Sequence, residues 1–274
     1  MRKLNLTIRH IILALASFLM FFPFLWMILS ALKTKDEIFQ VPFKLFPASP
    51  QWETFNSAFH SAPFATYIWN STYTSIAIVL IQTVTSALFA YALTQMQWKG
   101  KHTLFSIVMG TYMLPAAATY VPSYVILSKL NLIDSHIGLI ISSAASVYGV
   151  FLFRQAFKQI SKEVIQAALI DGASHFKILF RIMFPLTKPT FVTFMLISFV
   201  QNYNSYLWPS LILQSQEKML ITNGLRQFFI EGGAYGVKWP EVMAASTFTI
   251  LPLLILFFAI QKVFVSGISD NGIK

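Results

Sequence analysis

Long uncharged apolar runs, separated by shorter polar or proline-bearing stretches, set the pattern of this chain. A helix that crosses a bilayer needs about 17–25 mostly apolar residues. Six stretches meet that length, at about 11–32, 71–96, 104–127, 137–153, 189–213 and 242–264. The pattern predicts an all-α, polytopic membrane protein with six transmembrane helices. Residues 1–66 would hold the first helix and an outer loop, and residues 67–264 the other five helices. Residues 154–188 would form a long loop within that second part, and 265–274 a short tail. Pro115, Pro122 and Pro252 fall inside spans, where proline bends a helix for packing or for movement.

The first run follows Arg2, Lys3 and Arg9, as a signal peptide would. It is longer than the ~7–15 apolar residues of a cleaved leader, and Phe21, Phe22, Pro23, Phe24 and Trp26 fill it. It reads as a retained helix.

Composition supports the membrane reading. Hydrophobic residues make up 56% of the chain and charged residues 11%, against about 25% charged in soluble domains. The net charge of +10 invites a nucleic-acid reading, but its placement argues for topology. With the N-terminus in the cytoplasm, 13 Lys and Arg fall inside and 7 outside, against 3 acidic residues inside and 7 outside. The whole excess lies on one side, as the positive-inside rule requires. Both termini are then cytoplasmic, and no nucleic-acid partner is expected.

Chemistry that would let the chain act alone is missing. Cysteine is absent, and no G-x-x-x-x-G-K-[ST] phosphate loop occurs. The five histidines show no metal-ligand spacing, and no G-x-S-x-G nucleophile motif is present. The chain is not expected to be an enzyme, and no metal or other cofactor is expected in it. Proton- or sodium-coupled carriers place ionisable groups at membrane depth. Here the spans are nearly free of charge, and Arg154 and Lys188 sit at span ends, where they can snorkel to water. A self-sufficient secondary carrier or channel is the alternative from another class, and this lack of buried charge weighs against the carrier.

The stretch Ser161-Lys-Glu-Val-Ile-Gln-Ala-Ala-Leu-Ile-Asp171-Gly172-Ala-Ser174, continuing to Phe184-Pro185, predicts two short helices joined by a turn. Ser161 suits the first cap, with Glu163 near that positive end. Asp171-Gly172 breaks the helix, Ser174 caps the second, and Pro185 stops it. Ala167 and Ala168 would offer a low surface for another protein's backbone. An amphipathic loop lying on the membrane surface would look the same.

This stretch resembles the coupling loop of binding-protein-dependent ABC importers, whose pattern is E-A-A, three residues, G, nine residues, then I-x-L-P. Ala167, Ala168, Gly172, Ile182 and Pro185 fall in register, while Gln166 replaces the Glu and Phe184 the Leu. Leu152-Phe-Arg-Gln-Ala-Phe, Tyr206-Leu-Trp-Pro-Ser and Phe264-Val-Ser-Gly are similar to the carbohydrate-uptake branch, the maltose-type second permease. The resemblance implies a type I ABC importer permease fold, with residues 67–264 as its conserved domain. It also implies a homologous permease partner, two ATPase subunits that carry ATP and Mg, and an extracytoplasmic solute-binding protein. ATPase coupling would fall to Glu163, Gln166, Ala167, Ala168, Asp171, Gly172, Ile182 and Pro185. Gln166 keeps hydrogen-bonding capacity but loses the charge of the expected Glu.

Polar residues interrupt the fifth span at Gln201, Asn202, Tyr203, Asn204, Ser205 and Tyr206. Asn202, Tyr203, Asn204, Tyr206 and Trp208 are the substrate-pathway candidates, since amides, hydroxyls and flat aromatic faces suit sugars. Hydrogen bonding between helices is the competing role. A carbohydrate, as an oligosaccharide, is the expected solute, with glycerol 3-phosphate or a glycerophosphodiester as the alternative. A bacterial inner membrane is the expected location.

Overall fold

The computed structural model describes residues 2–231 and 238–271, and every regular element among them is helical. In chain order they are α1 (Arg2–Ala31), α2 (Lys35–Ile38), α3 (Glu53–Ser61), α4 (Phe64–Gln95), α5 (Lys101–Thr111), α6 (Ala116–Lys129), α7 (His136–Ser142) and α8 (Val147–Lys158). There follow α9 (Lys162–Ile170), α10 (His175–Ile178), a π-helical turn (Leu179–Met183), α11 (Phe184–Leu186), α12 (Lys188–Tyr203), α13 (Leu207–Ile212), α14 (Ile221–Glu231) and α15 (Trp239–Asn271). Gly232, Gly233 and Gly236 of the outer loop lie outside the described residues.

Three stretches, within α1, α4 and α15, are each long and apolar enough to cross a membrane. Three more candidates are bent pairs: α5 with α6 (100°), α7 with α8 (46°), and the His175–Leu186 segment with α12 (85°). The third, fourth and fifth spans expected from hydropathy are therefore interrupted rather than continuous helices. Pro115, in extended backbone ahead of α6, divides the third. Ser143–Ser146 divides the fourth, and α12 ends at Tyr203 within the polar cluster of the fifth. Hydropathy averages over a window and does not register a break of three or four residues. The last helix runs past residue 264 to Asn271.

The chain forms two compact units. Met1–Tyr67 groups with Asn223–Leu251, and Ile68–Thr222 with Pro252–Lys274.

In the first unit Ala31, Ala58 and Ala244 are fully buried at one contact of α1, α3 and α15, ringed by Phe55, Met243 and Phe248. Lys33, an outer-loop charge by sequence, is 1% exposed. Its Nζ donates to the Lys44 carbonyl at 2.6 Å and sits 4.3 Å from the Trp26 ring centroid. Burial pushes its pKa down. Thr34 and Glu37 form a reciprocal capping box on α2, and Glu37 also accepts from the Ala48 N–H at 3.1 Å. These bonds fold the proline-bearing outer loop back onto the end of α1.

In the second unit α4 is the central helix, packed at two levels. Near its end, Ala87, Ala90 and Tyr91 join Phe153 and Phe157 of α8 and Phe191 and Phe194 of α12. Nearer its start, Ile78 joins Leu127, Leu139, Ile212, Leu213 and Leu220. Gly149 lets α8 approach closely: an added Cβ would lie 2.7 Å from both Phe194 and the Ser86 hydroxyl.

Candidate functional site

The 161–187 loop sits against the first of these clusters. Ile165, Ala168, Ala173, Ile178, Leu179 and Met183 all bury into it, and Ile182 packs at its edge. The turn is a full Schellman motif. The Ala173 N–H donates to the Ala168 carbonyl at 2.9 Å, and the Gly172 N–H to the Leu169 carbonyl at 3.0 Å. Gly172 holds φ at +73°, which only glycine adopts at little cost. Ser174 caps α10 through the Lys177 N–H, and the Tyr91 hydroxyl meets His175 Nδ1 at 2.8 Å. Ser161 has the extended backbone of a cap but makes no capping hydrogen bond, so that expectation is corrected.

The second helix does not stop at Pro185. Pro185 has no N–H to give the carbonyl four residues back, and the turn before it widens to a π form in which the Phe184 N–H reaches Leu179. The helix ends at Leu186, where Thr187 turns the chain into α12.

The two alanines of the motif face opposite ways. Ala168 points into the chain's own core, while Ala167 is exposed beside Glu163, Gln166, Asp171 and Gly172. The low outward surface is thus Ala167 with Gly172, and not the Ala167-Ala168 pair expected from sequence. Ile170 stands next to it, 85% exposed. A Cβ added at Gly172 would meet nothing within 4 Å.

The polar residues at membrane depth form a network inside the second unit. Gln82 of α4 donates to the Ser143 carbonyl at 2.7 Å and accepts from the Ser198 hydroxyl at 2.6 Å. Asn202 donates to the Ser198 carbonyl and hydroxyl. Thr85 donates to the Ala144 carbonyl at 3.0 Å, and Ser86 to the Ser146 carbonyl at 3.2 Å. Gln82 and Thr85 therefore satisfy two carbonyls released where α7 breaks from α8, as a hydrocarbon surrounding demands, while Ser86 adds a second bond to a Ser146 carbonyl that already accepts from the Val150 N–H. This Gln82, Thr85 and Ser86 row was missed from sequence, although four polar residues in the five positions 82–86 of an apolar run are a usable signal.

Of the pathway candidates, Asn202 is engaged in that network. Tyr203 is fully buried and stacks on Phe199 at 5.7 Å, and Asn204 is exposed at the end of α12. Tyr206 is half-buried in the break before α13. Trp208 stacks on Tyr120 of α6, centroids 5.2 Å apart, and donates to the Ser142 hydroxyl at 2.9 Å. The five do not converge on one point.

A clamp that sequence reasoning did not single out lies near the start of α4. Asp134, in the αL region at φ +53°, accepts from the Gln214 and Ser215 N–H groups, from the Ser215 hydroxyl and from Lys218 Nζ at 2.9 Å. Tyr73 hydrogen-bonds His136, whose Nε2 meets the Lys218 carbonyl at 2.7 Å. The Ser215 hydroxyl and N–H, with the Lys218 ammonium, hold the Asp134 carboxyl well below the ordinary carboxylate range. Its pKa is depressed on folding, so its contribution is complete above about pH 5 and is lost progressively as pH falls towards the depressed folded value. Asp134→Asn is expected to lower the melting temperature at pH 7, by a difference from wild type that narrows as pH falls from about 5 to 3 but does not vanish there. Melting curves across that range check it.

A family model described as the binding-protein-dependent transport system inner membrane component matches residues 82–270. The chain belongs to that family. A similar relative is a sn-glycerol-3-phosphate transport system permease protein of Yersinia enterocolitica, 31% identical over 96% of this chain and 95% of the relative. Another is a lactose transport system permease protein of Rhizobium radiobacter, 29% identical over 97% of this chain and 96% of that one. Among solved structures, a bacterial ABC transporter involved in the import of the acidic polysaccharide alginate superposes with a TM-score of 0.83, at 21% identity, over 96% of this chain and 97% of that one. The fold is that of a type I ABC importer permease, and the chain is a membrane-embedded transport permease. The matched region takes in the Gln82 network, the 161–187 loop and the polar break before α13.

Proposed function

We propose that this permease forms half of the translocation pathway of an ATP-driven, binding-protein-dependent importer, and that the 161–187 loop couples it to a separate ATPase. Six spans with both termini in the cytoplasm place that loop, and the basic excess, on the inner face of a bacterial cytoplasmic membrane. Residues 67–264 serve as the permease domain, residues 1–66 as an added helix and outer loop, and 265–274 as the tail. A homologous permease supplies the other half, two ATPase subunits hold ATP and Mg, and a solute-binding protein docks on the outer loops.

The observation that carries this reading is the two-faced α9. One face is anchored in the α4–α8–α12 core, and the other presents Ala167, Ile170 and an unobstructed Gly172. A rigid element anchored on one side and open on the other transmits a push as a hinge or shear movement. Glu163, Gln166 and Asp171 rim that outer face, and Ile182 and Pro185 carry the movement into α12.

The proposed solute is a carbohydrate, an oligosaccharide by preference. The Tyr120–Trp208 stack, with Tyr206 and Asn204 on neighbouring turns, supplies aromatic and amide groups for a sugar, while Asn202 and Tyr203 hold the wall behind them. The second reading, glycerol 3-phosphate or a glycerophosphodiester, is favoured by the name of the Yersinia relative. Binding assays on the cognate solute-binding protein separate the two. Vesicles holding the complete importer are expected to accumulate the bound solute only with ATP on the ATPase side. Uptake by this chain alone, insensitive to ATP, would sink the proposal in favour of a secondary carrier.

A further inference from the structure

Arg154 is more deeply buried than its place at a span end suggests: it is 8% exposed on α8, and its Nε, though not its two terminal nitrogens, is sealed from solvent with no hydrogen-bond partner. Its guanidinium carbon lies 3.8 Å from the centroid of Phe105 on α5. Neither ion pair among the described residues involves it. A cation taken out of water without a counter-ion is strongly disfavoured, and one aromatic face offsets only part of that. The charge balance at this place calls for an anion.

The surroundings describe the anion's shape. One turn along each helix, Val108 (three residues from Phe105) and Val150 (four from Arg154) line a cavity of about 350 Å³. Thr85, Ser86, Phe89, Thr111 and Val147 complete much of its wall, which is almost wholly apolar. The Thr85 and Ser86 hydroxyls are already donated to the Ala144 and Ser146 carbonyls. One turn the other way stand Lys101, four residues before Phe105, and the exposed Lys158, four after Arg154. Along both helices the order is apolar cavity, buried guanidinium, then lysines at the end of the span. An acyl chain, a phosphodiester and a polar headgroup follow the same order.

We propose that Arg154, Lys101 and Lys158 form a binding site for the phosphate of an anionic phospholipid, whose acyl chain occupies the adjoining cavity. The orientation proposed above is used only to name its leaflet as the inner one. Lipid is favoured over a partner's carboxylate because the cavity beside the guanidinium is apolar and open at the surface of the chain. It is favoured over a free anion because a free anion leaves that cavity unused.

The test is native mass spectrometry of the assembled importer in neutral detergent, titrated with phosphatidylglycerol, phosphatidylcholine or inorganic phosphate. Wild type is expected to retain phosphatidylglycerol at least about tenfold better than phosphatidylcholine, a difference of about 1.4 kcal/mol. Arg154→Gln is expected to reduce it to the phosphatidylcholine level, with Arg154→Lys between. Val108→Trp fills the cavity while leaving the cation in place, and is also expected to lose the lipid, so the proposal stays testable should Arg154→Gln not assemble. Equal retention of the two lipids overturns it, as does retention by Arg154→Gln or by Val108→Trp. Displacement of the lipid by equimolar inorganic phosphate identifies a free-anion site instead. Loss of a partner subunit from Arg154→Gln with lipid binding unchanged identifies a protein carboxylate.

Discussion

With Gly172→Trp, the permease is expected to fold and insert but to lose its ATPase subunits on purification. Two magnitudes set this outcome. Holding a non-glycine residue at φ +73° costs about 1–2 kcal/mol, and a Cβ there meets no neighbour within 4 Å, so packing adds nothing. An indole projecting from the outward face of α9 is a steric block at an interface centre, where single changes reach about 2–4 kcal/mol. That is roughly 30- to 1,000-fold in affinity. Gly172→Ala carries the same backbone strain without the bulk, and is expected to keep most of the ATPase bound. Co-purification and solute uptake, measured beside a melting curve, separate docking from folding. A Gly172→Trp complex that stays assembled and transports as wild type does would remove the loop from the coupling route.

Residues whose role is set by their own backbone were legible in the sequence. Gly172 announced its turn because few other residues take that φ, and Ser174 announced its cap through spacing alone. What the sequence hid is which side of a short helix meets the core. Ala167 and Ala168 are chemically identical, and only the packing of Ile165 and Ala168 against Phe153, Phe157 and Tyr91 decides that one is structural and the other outward. Pro115 pointed to a bend in the third span, but the break at 143–146 was hidden for a related reason. Hydropathy records the transfer of side chains and ignores whether backbone carbonyls keep their helical partners. The compensating side chains, Gln82 and Thr85, lie about 60 residues away on another helix. Arg154 was read as snorkelling because it ends an apolar run. Its burial depends on Phe105, a residue of a different span.

Gln82→Leu is expected to destabilise the helix bundle clearly while leaving the packed volume almost unchanged. Leucine fits the volume, so the effect isolates hydrogen bonding. The variant strands the Ser143 carbonyl, which the break deprives of a helical donor, and it takes from the Ser198 hydroxyl its acceptor. An orphaned buried group costs about 1–3 kcal/mol. Hydrogen bonds between membrane helices average only about 0.6 kcal/mol, because side chains of separated helices find other partners in the bilayer. That rescue serves Ser198, which can bond within its own helix. It serves less well a carbonyl fixed in a helix break and partly covered by α4. We therefore expect about 2–3 kcal/mol for Gln82→Leu and about 1 kcal/mol or less for Thr85→Val, whose carbonyl partner sits in an exposed contact. Chemical unfolding in mixed micelles measures both, and the pair together tests whether the break at 143–146 is held by α4. If Gln82→Leu matches wild type while Thr85→Val does not, the break is held from its open side and the Gln82 bonds are incidental to it.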